Sequence, residues 1–244
     1  MSNQYPEGQW FVGIVVNVSD DPNKLGYMKI RIPVDDDGRP DDQLPWAYPL
    51  LPVTSASHKG IGISPTGIEI NSQVFGMYLD GRAHNERLVL GTIPAIREGD
   101  DSKHDVSKLA RGIGGITKQQ IGPEPASSYD TIYPFNKVHE TKSGHVIEID
   151  DTPSAERIHI YHKSGTYIEI SNDGRTVIKS VGDSFNINAK NNEVFVQGNM
   201  NIVVKGDVKI SVDGKTDVSS KGKISVKSDA EIAMNAPKIT ITEG

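Results

Sequence analysis

The chain has 244 residues, of which 36% are hydrophobic, 6% aromatic and 24% charged, with a formal net charge of −6. That acidic balance argues against a dedicated nucleic-acid binder, which needs a basic face for phosphates. There is no cysteine, so disulfides, thiol chemistry and cysteine–zinc sites are excluded.

The first residues, MSNQYPEGQW, lack the basic and apolar regions of a secretion signal. No apolar run reaches the roughly 18–20 residues that a helical bilayer span needs. The expectation is a protein that folds in the cytoplasm of the cell that makes it.

Residues 1–97 read as a small β-domain. WFVGIVVNV is a strand, DDPNKLG a turn, and YMKIRIPV a strand with Met28, Ile30 and Ile32 on one face. LPWAYPLLPV is a proline-studded strand that must lie at an edge or be broken. SASHKGIGISPTG is a glycine-rich loop, and QVFGMYL and RLVLGTI are two further strands joined by DGRAHNE. Five strands with a long third-to-fourth connection predict a Greek-key barrel of the oligonucleotide/oligosaccharide-binding (OB) type.

Residues 98–128 are polar, rich in Gly and Pro, and read as an extended linker with at most one helical turn near Val106–Leu109. Residues 129–180 return to strand character, with Ile147/Ile149, Ile158/Ile160 and Ile168/Ile170 expected to face inward in a β-collar.

Residues 181–244 carry an internal repeat. Glycines recur at Gly198, Gly206, Gly214 and Gly222, eight residues apart, and the frame extends back to Gly182 and forward to Ala230. Three alternating columns share the period. One runs Met200, Val208, Thr216, Ile224, Ile232; the next Ile202, Ile210, Val218, Val226, Met234; the third Val196, Val204, Val212, Ser220, Ser228, Ala236. A fixed period marks a repeat architecture. Alternation within each unit is strand spacing with one buried face, and a glycine with positive φ would turn each corner. Eight residues cannot wrap a core of their own. The economical solution is three identical chains, each supplying one face per level of an intertwined trimeric β-helix, a triangular β-prism. Gly182, Gly198, Gly206, Gly214 and Gly222 are its repeat turns, and Ser220 and Ser228 would face the axis. The fold class is therefore all-β.

Candidate chemistry is thin. His159 and His162 are three apart, so on a strand they point to opposite faces, poorly placed for one metal. Together with His139 and His145 they read as exposed strand histidines. Asp35, Asp36, Asp37, Asp41 and Asp42 lack the spacing and closing glutamate of a calcium loop and read as a solvated acidic loop. Glu148, Asp150 and Asp151 are a conceivable carboxylate pair for glycoside hydrolysis but fall on collar strands. Gly60, Gly62 and Gly67 are followed by no Gly-Lys-Ser/Thr, so they form no phosphate loop. No catalytic, cofactor-binding or metal-binding residue is assigned.

WFVGIVVNVSDDPNKLGYMKIRI, LPWAYPLLPVTSASHKGIGISPTG, the collar from YPFNKVHE to TYIEIS and the Val-x-Gly units together resemble one family: the central spikes of contractile phage tails, of the cell-puncturing type. The valine–glycine spikes of type VI secretion systems are relatives. The resemblance implies a homotrimer in the virion tail baseplate. Its OB end would meet a hub protein, and its rod would cross the host outer membrane by mechanical force. The best-known members carry a lysozyme domain where this chain has only residues 98–128, so lytic activity does not carry over and a non-enzyme is expected. Some relatives end in metal-holding histidines; here no histidine follows His162. A separate PAAR-type tip protein is expected to contact Pro237, Ile239 and Ile241 instead. The alternatives are a spike with residual cell-wall-degrading activity, and a trimeric stalk whose OB module grips a glycan or nucleic acid through Trp10, Trp46 and Tyr48.

Overall fold

The structure is a computed structural model and describes residues 9–59, 61–94, 122 and 124–241. The chain divides into two units, Met1–Asn186 and Ile187–Gly244. Most of the expected linker, including Val106–Leu109, lies outside the described residues.

The first unit opens with five strands: β1 (Trp10–Asn17), β2 (Met28–Arg31), β3 (Trp46–Pro49), β4 (Gln73–Tyr78) and β5 (Arg87–Ile93). They close into a barrel in the order β1-β2-β3-β5-β4, with β3 and β5 parallel. Closure removes the free edges that a short open sheet would expose. Alternation puts Phe11, Val15, Met28, Ile30, Ala47, Val74, Tyr78 and Val89 into one core. Gly76 permits that closure: a methyl there would run into the carbonyl oxygen of Leu88 and the Phe11 ring. The proline-studded segment is not an edge. β3 pairs with β2 on one side and β5 on the other, and it is short because prolines stand just before it and at its end.

The acidic loop after β2 is not simply solvated. Asp36 is buried and takes a two-pronged ion pair from Arg87, with Nη1 at 2.9 Å from Oδ2 and Nη2 at 2.7 Å from Oδ1. The Arg87 guanidinium also donates to the carbonyl of Ile30, and the backbone N–H of Ile32 donates to Asp36. Burial alone would raise the Asp36 pKa, but the hydrogen bonds and charge of Arg87 outweigh it and hold it below the usual value. Single-sequence pattern reading cannot pair positions 51 residues apart, so the pair is invisible until β5 returns beside β3.

Further along, β6 (Asn136–Glu140), β7 (Val146–Asp150), β8 (Arg157–Tyr161), β9 (Tyr167–Ile170) and β10 (Thr176–Lys179) form an antiparallel meander in sequence order. Gly144, Gly165 and Gly174 have φ of 86°, 96° and 78°, and the β6–β7, β8–β9 and β9–β10 turns need that left-handed conformation.

Beyond β10 no described residue pairs into a strand. The chain instead bends at 181–182, 189–190, 197–198, 205–206, 213–214, 221–222 and 229–230, a strict eight-residue interval. The expectation of positive φ at Gly182, Gly198, Gly206, Gly214 and Gly222 is corrected, because none of them adopts it. The bends at Lys190 and Ala230 show why: the corner is made within the conformations open to any L-residue.

Candidate assembly surface

A strand with alternating side chains has two faces, and in a lone sheet the apolar one is expected to be covered. The β6–β10 sheet does the reverse. Ile147, Ile149, Ile158, Ile160, Ile168 and Ile170 share one face, as their register pairs them: Ile147 with Ile160, Ile149 with Ile158, and Ile160 with Ile168. All six are 39–51% exposed. The expectation that they form an inside is not met within one chain; the face is open. Its end forms a groove of about 480 Å³ between Ile147, Ile160, Ile168, His139, His145 and His162.

The opposite face is buried and mostly charged, with Val146, Tyr161 and Tyr167 forming a small apolar cluster on it. Glu148, Asp150, Arg157, His159 and Glu169 are nearly inaccessible, beneath the segment 124–132. Arg157 sits at the centre. Its Nη2 is 2.7 Å from Glu148 Oε2, its Nη1 is 3.2 Å from Glu169 Oε2, and its guanidinium lies 4.8 Å from the Tyr129 ring centre. His159 Nδ1 is 2.8 Å from Glu169 Oε2, and the Ser127 hydroxyl donates to that same oxygen at 2.8 Å. Thr131 donates to Asp150, the Ile132 N–H donates to Thr152 at 3.0 Å, and Lys179 pairs with Glu124 at 2.8 Å. The segment is thus tied down by polar contacts along its length. Burial alone would raise the Glu169 pKa, but the hydrogen bonds from His159 and Ser127 and the charge of Arg157 lower it to about 2.

One reading of an individual residue changes here. His159 is a buried partner of Glu169, not an exposed strand histidine; His139 and His162 are exposed, and His145 is half-buried. Glu148 and Asp150 are consumed by structure: Asn136 donates to Glu148 at 2.7 Å, and Thr131 and Thr152 donate to Asp150. The cross-strand pairs Glu148 with His159, His159 with Glu169 and Asp150 with Arg157 were the available signal, since alternating signs at matching register imply one shared polar face.

In the second unit the three repeat columns are all exposed. In the third column Val196, Val204 and Val212 are 46–52% exposed. Ser220 and Ser228, expected to turn to an axis, accept hydrogen bonds from the corner N–H groups of Gly222 and Ala230 at 3.2 and 3.3 Å. A serine two residues ahead of a bend satisfies the turn it introduces. Ile239 and Ile241 are exposed beyond the bend at Pro237.

The aromatic residues that could have formed a stacking platform are dispersed. Trp10 stacks on Phe75 of β4 at 5.3 Å. Trp46 instead lies under the Lys29 ammonium, and Tyr48 meets the edge of Tyr27.

Fold and surface together define a class: an OB barrel followed by a β-meander with an open apolar face and an extended octad repeat. The chain belongs to the Gp5 N-terminal OB domain family, whose sequence profile matches residues 28–159, from β2 into β8. It is 29% identical over 266 aligned positions to Protein Gp5 of Vibrio phage KVP40 (isolate Vibrio parahaemolyticus/Japan/Matsuzaki/1991), covering 80% of this chain and 62% of that protein. Over 75 residues it is 43% identical to the Pre-baseplate central spike protein Gp5 of Enterobacteria phage T4, covering 31% of this chain and 13% of that protein. The chain therefore spans less than two thirds of the length of these relatives.

Proposed function

We propose that this protein is the central spike of a contractile phage-tail baseplate, acting as a homotrimer by mechanical force and without catalysis. The observation that carries the reading is the inverted sheet: its isoleucine face is open while its charged face is buried. Roughly 0.8 kcal/mol per buried CH₂ makes such a face costly to leave in water. The repeat columns extend the same need over residues 187–241, where no described residue pairs into a strand. Three chains around one axis answer both. The family membership and the relatives' printed names support the place of action, the virion baseplate.

In this reading residues 1–97 form the OB domain against the baseplate hub. Residues 98–128 cross to the collar at 129–180, and residues 181–244 form the rod, with Gly182, Gly198, Gly206, Gly214 and Gly222 at its corners. Tail contraction supplies the work that drives the rod through the host outer membrane. A continuous β-ladder with almost no free edge supplies stiffness. A PAAR-type tip protein sits on Pro237, Ile239 and Ile241, and a chain shortened by residues 237–244 loses that binding; equal affinity would refute the contact.

Light scattering tests the central claim. A molar mass three times 26.5 kDa that survives mild denaturant is expected. A monomer would overturn the reading.

A further inference from the structure

We propose that the outer surface of the rod carries an ion-pair ladder between chains, which sets the register of the three copies. The occupant it recognises is a second copy of this chain, and the proposal rests on the trimeric reading above.

The geometry follows from the eight-residue bends. If each unit covers one of three faces and the copies are related by a three-fold axis, each chain moves to the next face at each level. The strands stacked on any one face then come from successive units of different chains. Equivalent positions in successive units, i of one chain and i+8 of another, become lateral neighbours about 4.8 Å apart.

The bends fix which residues those are. The first residue of the bends at 205–206, 213–214, 221–222 and 229–230 is Lys205, Asp213, Lys221 and Asp229 in turn, so the sign alternates at every step. Two other outward columns behave alike. Lys209 meets Asp217, Asp207 meets Lys215, and Lys223 meets Glu231. Of the seven places where successive units put charges side by side, six join opposite signs. The exception is Lys215 beside Lys223, and Lys215 already has a partner on its own strand: its ammonium is 2.9 Å from Asp217. Opposite charges directly across neighbouring strands stabilise a sheet, and like charges destabilise it. A slip by one unit would preserve the apolar columns, because they repeat every eight residues. It would put Lys205 beside Lys221 and Asp213 beside Asp229. The apolar columns alone therefore leave the register open, and the charges close it.

The chain has no cysteine, so a cross-link is clean. The full-length double variant Lys205→Cys/Asp213→Cys, treated with a mild oxidant or a short thiol cross-linker, is expected to run as a covalent trimer on a non-reducing denaturing gel. The mismatched pair Lys205→Cys/Asp217→Cys is expected to give mostly uncross-linked chain. An internally bridged single chain, or a trimer by light scattering that fails to cross-link, would overturn the ladder while leaving the trimer intact. A monomer by light scattering would overturn the trimer itself. A second arm needs no chemistry. Lys205→Asp/Lys221→Asp should keep the trimer mass but melt several degrees lower, with the loss shrinking in high salt. Adding Asp213→Lys/Asp229→Lys inverts the whole column and should restore the melting temperature. No recovery would refute the pairing.

Discussion

Ile147 and Glu148 are neighbours in β7 with opposite fates: the isoleucine is half exposed, and the glutamate is fully buried against Arg157. A folded chain normally arranges the reverse. The inversion separates two jobs. The buried face ties the sheet to segment 124–132 within one chain, and the isoleucine face is the one that the proposed trimer would cover.

The first prediction tests that division. Ile158→Glu or Ile160→Glu places a charge on the open face. The side chain is already exposed, so the single chain should keep its β-signal by circular dichroism. The trimer should dissociate, read as a threefold fall in molar mass. A trimer that tolerates both substitutions would show that the face packs elsewhere.

The charged face gives the second. Arg157 neutralises Glu148 and Glu169 without access to water. Removing one partner of a buried network leaves uncompensated charge and costs about 3–5 kcal/mol. Arg157→Met should lower the unfolding midpoint accordingly. The triple variant Arg157→Met/Glu148→Leu/Glu169→Leu should recover most of the loss, which thermal melts would read directly.

The third is a pH dependence. Glu169 faces Arg157 and His159, with Ser127 donating to it and Glu148 on the other side of the arginine. Its pKa falls from 4.5 to about 2 on folding, so the folded state binds its proton less well than the unfolded chain does. Its contribution is complete above pH 4.5, shrinks as pH falls toward 2 and is absent below. The span corresponds to roughly 3 kcal/mol. Melting midpoints measured from pH 6 to pH 2 should fall through that window, and Glu169→Gln should flatten the curve.

These features were unequally legible in the sequence. The barrel strands, the isoleucine columns and the octad frame are periodic, and period is local information. The pairs Asp36–Arg87 and Arg157–Glu169 are not, because their partners meet only after the strands have been ordered. For that reason the local pattern alone suggests a solvated acidic loop and an exposed His159, where the fold buries Asp36 and His159. Ser220 and Ser228 carry a second role that their column does not reveal. Their column position points to an axis, and each hydroxyl also accepts a hydrogen bond from the N–H of the following corner.

A fourth prediction concerns the barrel. Asp36 is held by both prongs of Arg87 and by the Ile32 N–H. Asp36→Ala leaves a buried guanidinium whose remaining acceptors are the carbonyls of Ile30 and His84. A loss of about 3–5 kcal/mol in barrel stability is expected. Arg87→Lys with Asp36 intact should also destabilise the barrel, since one ammonium cannot replace two parallel donors. Because the isoleucine face and the repeat are untouched, the trimer mass should persist under native conditions. Loss of the trimer with the barrel would mean that the two are coupled.

The last concerns the corner glycines, where the sequence suggested a backbone requirement that the structure does not contain. Gly214 has no positive φ, and an added methyl would meet nothing within 4 Å in the single chain. The same bend is made by Lys190 and by Ala230. A residue compatible with the native backbone costs little and stiffens the unfolded chain, worth about 0.4–1 kcal/mol in favour of folding. Gly214→Ala should therefore still assemble, with unchanged mass and a melting temperature equal to or slightly above the parent. Gly214→Pro should not, because a proline removes a backbone N–H that the stacked strands need. If alanine failed as badly as proline, the glycine would be required by close packing between copies at the corner. The frame would then tolerate side chains only toward its ends, at Lys190 and Ala230, where the regular winding starts and stops.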